Sequence, residues 1–192
     1  MYLAGFLAGL ALFFAPHVYS MMRKRGAGDL PSRMGRGPYM GLYSLISLAG
    51  LALIIWGYGS LKPWVPVWTP PTWTRHVALT LMLPALILLA SAYAPVGYIK
   101  KAVKHPMLAA VKVWAAAHLA ANGDLASIIL FGSFLAYGVA DRIAVKRRGD
   151  DGPVGVKPRL AGDAIAVVVG IVAYGAIAYW LHPILFGAPV VG

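Results

Sequence analysis

The stretch His105–Gly123, HPMLAAVKVWAAAHLAANG, decides how the rest of the chain is read. It opens on His-Pro, continues almost without interruption in apolar residues, and closes on Asn-Gly. That pattern predicts one hydrophobic helix followed by a tight turn. Lys112 and His118 stand inside it, and Trp114 lies one turn before His118 on the same face. By rise per residue His118 is about 18 Å from the start of this helix. An ionisable ring at that depth in lipid needs a partner. A hydrogen bond across helices to a tyrosine or serine is one kind. A metal is another, because neutral imidazole ligates iron well.

The 192 residues are 60% hydrophobic and only 12% charged, with a mean hydropathy of +0.73. A soluble domain carries about 25% charged residues, so the composition describes an all-α integral membrane protein. The absence of cysteine excludes disulfides, thiolate ligands and a cysteine nucleophile. A net charge of +11 raises the question of nucleic acid. The basic residues, however, sit in short loops between apolar runs, and no folded basic module is left to bind one. The N-terminal run lacks a preceding basic residue and a following A-x-A site, so it reads as an uncleaved first span.

Six apolar segments follow one another, over 2–21, 40–61, 76–95, 106–121, 124–140 and 161–182. The fourth and fifth are short for a full crossing. These predict a bundle of about six transmembrane helices. The first loop carries Arg23, Lys24, Arg25, Arg33 and Arg36, the third Lys100, Lys101 and Lys104, and the fifth Arg142, Lys146, Arg147, Arg148, Lys157 and Arg159. The other side has Lys62 and Arg75 alone. This asymmetry places both termini in the periplasm of a multi-pass inner-membrane protein. Residues 1–150 form a membrane domain of five helices. Residues 151–192 supply a linker and a sixth transmembrane helix packed on the same bundle.

Two loops have distinct chemistry. Residues 62–75, KPWVPVWTPPTWTR, set Trp64, Trp68 and Trp73 among four prolines, which predicts an irregular lid anchored at the outer interface. Residues 141–160 are charged and contain Gly and Pro, and read as a flexible cytoplasmic linker. Asn122-Gly123-Asp124 joins the fourth and fifth spans in an antiparallel hairpin, with Asp124 as helix cap.

Five histidines carry what chemistry the chain offers. His76 and His182 lie at the outer ends of their spans and read as structural, with Pro183 ending the last helix. His17 follows Pro16 late in the first span and shares a face with Phe6, Leu10 and Phe13. It is either bonded to a neighbouring carbonyl or a ligand. His105 and Lys112 are about 20° apart around the fourth helix. Lys112 can snorkel to the cytoplasm or pair with an anionic group such as a haem propionate. The six aspartates lie in loops or at helix ends and there is no glutamate, so no carboxylate pair serves acid–base work. No P-loop, GxSxG or HExxH occurs. Gly5–Gly9 is a GxxxG, and Ala166 with Gly170 a second pair of small residues; both predict close helix packing.

Taken in order, His17, the Tyr43-Ser44-Leu45-Ile46-Ser47-Leu48-Ala49-Gly50 run, His105-Pro106-Met107-Leu108, Trp114…His118-Leu119, Asn122-Gly123-Asp124 and Asp141-Arg142…Lys146-Arg147-Arg148 resemble the NnrU family over about residues 1–150. The resemblance implies a role in denitrification or nitric-oxide metabolism. A homologous branch, the 15-cis-zeta-carotene isomerases, binds haem b through two membrane histidines. Carried over, these fall on His17 and His118 as axial ligands of the haem iron, with Trp114, Lys112 and His105 as secondary cofactor-binding candidates. That branch has a cysteine three residues before the second histidine, where this chain has Ala115. On depth from the cytoplasmic face alone, His17 pairs as naturally with His105.

The leading expectation is a haem b-binding inner-membrane protein acting on a redox partner or on nitric oxide. A haem-dependent cis–trans isomerase of a hydrophobic polyene would instead need an apolar groove beside the haem. Gly97-Tyr98…Lys104-His105-Pro106 also resembles a stretch of the isoprenylcysteine carboxyl methyltransferases, with lysine in place of their arginine. A membrane scaffold without cofactor is the remaining alternative.

Overall fold

The computed structural model describes residues 2–26, 28–188 and 190. Helices α1 (Tyr2–Met22), α2 (Leu30–Met34), α3 (Arg36–Ser60), α4 (Trp73–Tyr93), α5 (Tyr98–Val103), α6 (Pro106–Ala121), α7 (Leu125–Arg147) and α8 (Leu160–Ala176) are followed by a π turn, Ile177–Leu181, and α9 (His182–Phe186). Among the described residues five stretches are long and apolar enough to cross a membrane: α1, α3, α4, α7 and the continuous run Leu160–Phe186. The chain is a multi-pass membrane protein. At 16 residues, α6 is about 24 Å long, somewhat less than the roughly 30 Å hydrocarbon core. The fifth apolar segment is not short: α7 has 23 residues, because its charged tail of Arg142, Lys146 and Arg147 stays helical beyond the apolar run.

Two compact units make up the chain, Met1–Trp64 and Val65–Gly192. In the first, α1 packs antiparallel on α3. Glycines set the approach. A Cβ on Gly9 would come 2.7 Å from the Ile54 nitrogen, and one on Gly57 would come 2.7 Å from the Phe6 nitrogen. Phe6 is fully buried there. Between apolar helices in lipid there is no hydrophobic driving force, so close van der Waals contact over small residues must hold the pair. Large apolar side chains correspondingly face outward, Leu45 being 68% and Leu48 63% exposed. At the end of this pair Arg23 bonds Asp29. Asp29 also caps α2 by accepting the Ser32 N–H at 2.9 Å.

In the second unit α4 lies against both α6 and α8, and α6 forms a hairpin with α7. Asp124 caps α7, accepting the Ser127 N–H at 2.8 Å and its hydroxyl at 2.6 Å. The segment leading into α4 is fastened to this hairpin turn. Val67 and Trp68 donate their N–H groups to the Gly123 carbonyl at 2.8 and 3.0 Å, and the Leu125 N–H donates to Val65 O at 2.9 Å. Any side chain on Gly123 would collide with the Trp68 carbonyl. Trp68 and Trp73 remain outward, 43% and 62% exposed. Gly170 brings α8 onto α4, where a Cβ would come 2.7 Å from Ile87 Cα, and Ala166 is buried beside it.

Two expectations are corrected here. The segment after α7 is not a loose linker. Lys104 Nζ reaches Asp151 at 2.6 Å, the Asp150 carbonyl accepts from His105 Nε2 at 2.9 Å, and Arg159 N–H donates to Val96 O at 2.9 Å. Asp163 then caps α5, accepting the Tyr98 and Ile99 N–H groups at 2.8 and 2.9 Å. Backbone polar groups that the sequence leaves without regular structure find partners on the α5 loop, which straps the segment down. Nor does Pro183 end the last helix. The His182 N–H bonds back five residues to Ile177 O, and this wider turn accommodates a proline that would otherwise clash with the preceding turn. The helix continues to Phe186 and stops at Gly187, which is left-handed at φ 62°.

Substituting Gly9→Leu should lower stability by about 1–3 kcal/mol through overpacking. Gly41→Ala, with open space around it, should leave stability unchanged or raise it by up to about 1 kcal/mol. Thermal unfolding in detergent reads both, and equal effects would refute the packing account. The strap has its own pH signature. The Lys104 ammonium, bonded to Asp151, holds that carboxyl below the usual carboxylate range. The contribution is therefore complete at neutral pH, begins to decline as pH drops below the ordinary carboxylate value, and is gone once pH has fallen through the depressed folded value. Protease cleavage between residues 148 and 159 should stay slow from neutral to mildly acidic pH and accelerate only in strong acid; steady acceleration from neutral pH downward would refute it.

Candidate functional site

His118 and His182 come together in the second unit. The α6–α7 hairpin supplies Trp114, His118 and Phe131, and α9 supplies His182. The ring centres of the two histidines are 6.5 Å apart and their planes 27° from parallel. His118 stacks on Phe131 at 4.5 Å. Trp114 meets Phe131 and Phe134 edge-on at 5.1 and 5.3 Å, and lies 5.3 Å from the His118 ring. Phe186 stands 5.1 Å from His182. The two imidazoles thus sit in an aromatic surround, where water competes little for their nitrogens.

The hydrogen bonds define the tautomers. His118 Nδ1 lies 2.8 Å from Trp114 O, and His182 Nδ1 lies 2.8 Å from Ala188 O. A carbonyl only accepts, so each Nδ1 carries the proton, and in the neutral ring the lone pair is on Nε2. Donation of one ring N–H to a backbone carbonyl is also what orients metal-ligating histidines. The cross-helix bond to tyrosine or serine expected for His118 is not what holds it; the ring bonds within its own helix. His182 is held by a turn the sequence does not advertise. The chain reverses at Gly187, which brings Ala188 O back onto the ring.

The remaining candidates are distributed elsewhere. His17 belongs to the first unit, on the α1 face that meets α3. Its Nδ1 donates to Phe13 O at 2.7 Å, and its ring stacks on Phe13 at 4.4 Å and lies 4.9 Å from Tyr43. His105 and Lys112 are in the second unit with His118. His105 opens α6 and donates Nε2–H to Asp150 O, its ring 3.7 Å from the Asp150 carboxylate. The Lys112 stem packs over Gly138 of α7, where a Cβ would come 2.9 Å from Lys112 Cγ. Among the described residues no cluster of three or more histidines and carboxylates could hold a bare metal ion.

An apolar groove of about 460 Å³ lies between α4 and α8, bordered by Leu86, Tyr93, Pro95, Ile165 and Val169. Its α4 residues belong to the second half of that helix, whereas the start of α4 follows the segment fastened to the α6–α7 turn.

A helical membrane protein with paired, tautomer-fixed histidines in an aromatic surround is the class that this geometry defines. The NnrU protein family matches residues 5–190, and the chain belongs to that family. The match runs through α8 and α9, well beyond the first 150 residues on which the sequence motifs lie. No curated protein and no solved structure matches the chain.

Sequence reasoning singled out His118 and Trp114 and passed over His182 and Phe131. Only weak signals pointed to the second pair. Both His118 and His182 lie toward the far end of helices that start from basic loops, and Phe131 faces α6 one hairpin turn away.

Proposed function

We propose that the protein binds haem b in the bacterial inner membrane, with both termini in the periplasm, and serves a redox or nitric-oxide-linked step of the kind associated with denitrification. The observation that carries this reading is His118. Its Nδ1–H is committed to Trp114 O at 2.8 Å, which leaves the lone pair on Nε2. Its ring is clamped against Phe131 at 4.5 Å. Two neutral imidazoles and aromatic walls are a donor set and a lining that suit haem b, and the lack of cysteine removes a thiolate competitor. The resemblance to the haem-binding branch names His17 as the other residue that would hold the group.

When bound, the haem would supply one-electron and ligand-binding iron chemistry. The chain's own residues do the rest. Trp114 O accepts the His118 Nδ1–H, which fixes the ring's orientation and, in the neutral ring, places the lone pair on Nε2. Phe131, Phe134 and Trp114 exclude water, which favours a stable low-polarity site. Lys112, on the same helix nearer its start, offers an ammonium to an anionic group.

The protein purified in detergent from cells fed haem precursor should show a Soret band and sharp α and β bands on reduction. His118→Ala should retain haem more than about 100-fold more weakly, beyond what loss of an orienting partner costs. A wild-type protein that stays colourless after incubation with hemin, or a His118→Ala variant with undiminished haem, defeats the proposal.

A further inference from the structure

We propose that His182 is the axial ligand opposite His118, so that α6 and α9 of the second unit hold the haem iron between them. This rests on the haem reading above and adds the identity of the second ligand, which the resemblance would place on His17.

Three observations converge on His182. The first is distance. A metal stands about 2.0–2.1 Å from an imidazole nitrogen, and the nitrogen about 1.1 Å from its ring centre, so trans ligation separates the two ring centres by about 6.3 Å. A tetrahedral angle at the metal would bring them to about 5.2 Å. The observed 6.5 Å matches trans ligation. The second observation is the matched tautomer. His182 donates Nδ1–H to Ala188 O as His118 does to Trp114 O, both at 2.8 Å. Both rings consequently present a basic Nε2. The third is the π turn Ile177–Leu181 directly before His182. Such turns widen a helix at some cost in hydrogen-bond geometry and are frequent at functional sites. Here the turn shifts the register of everything after it, His182 included. The donor count also fits. Two histidines without a third donor cannot make a tetrahedral or octahedral ion site from protein alone, whereas haem brings four nitrogens and needs two axial ligands.

The test compares the full-length wild type with His182→Ala, His17→Ala and His118→Ala in detergent, by absorption and electron paramagnetic resonance. With His182 as ligand, wild type is six-coordinate and low-spin. His182→Ala keeps its haem but becomes high-spin, added imidazole restores the low-spin spectrum, and His17→Ala remains like wild type. A low-spin His182→Ala without added imidazole, or a high-spin His17→Ala, overturns the assignment and leaves the haem reading intact. Haem-free wild type overturns both. Imidazole rescue separates a missing ligand from misfolding: a high-spin His182→Ala that imidazole does not rescue also counts against the assignment.

Discussion

The structure depends on how close apolar helices can come in a solvent that does not push them together. In lipid every backbone polar group must be satisfied within the chain, which makes each crossing a helix. Once that is done, helix pairs are held by contact alone. Gly9 and Gly57 let α1 and α3 meet backbone to backbone, and Gly170 does the same for α8 on α4. The large aliphatic residues left over point to the lipid. Val172, 65% exposed on α8, is buried only when a membrane surrounds it.

Irregular segments obey the same accounting by other means. The chain before α4 and the chain after α7 both lack helix over several residues, and both spend their amides on neighbouring loops. Gly123 accepts two N–H groups from Val67 and Trp68, and its missing side chain is what allows the approach. On the basic side, Asp163 caps α5 although it belongs to α8. Ends of helices are thereby tied to one another at both extremities of the second unit, which holds the α6–α7 hairpin and α9 in a defined relation. The two histidine rings owe their 6.5 Å separation to that relation.

Most of the helices were legible. Each apolar run became a helix with ends shifted by a few residues, because length and hydropathy are local properties. The GxxxG at Gly5–Gly9 and the cap at Asp124 were legible for the same reason. The segment after α7 was misread, since Gly, Pro and charge describe what a segment lacks and not what it can bond to across space. Pro183 was misread too. Proline excludes the normal helical hydrogen bond, but a π turn offers another one five residues back. The family match over residues 5–190 shows that α8 and α9 belong to the same evolutionary unit as the motif-bearing helices.

By itself, the sequence determined that this is a cysteine-free helical membrane protein, where its spans and turns fall, and that His118 is an ionisable ring deep in an apolar helix. These follow from hydropathy, spacing and residue chemistry, which act locally along the chain. Only the tertiary structure decided that His182 stands beside His118, that Phe131 stacks on His118, and that the segment after α7 is strapped to the α5 loop. Those are contacts between residues far apart in sequence, set by glycine-mediated packing of α8 on α4 and by a π turn that re-aims the last helix. No periodicity within either helix encodes them.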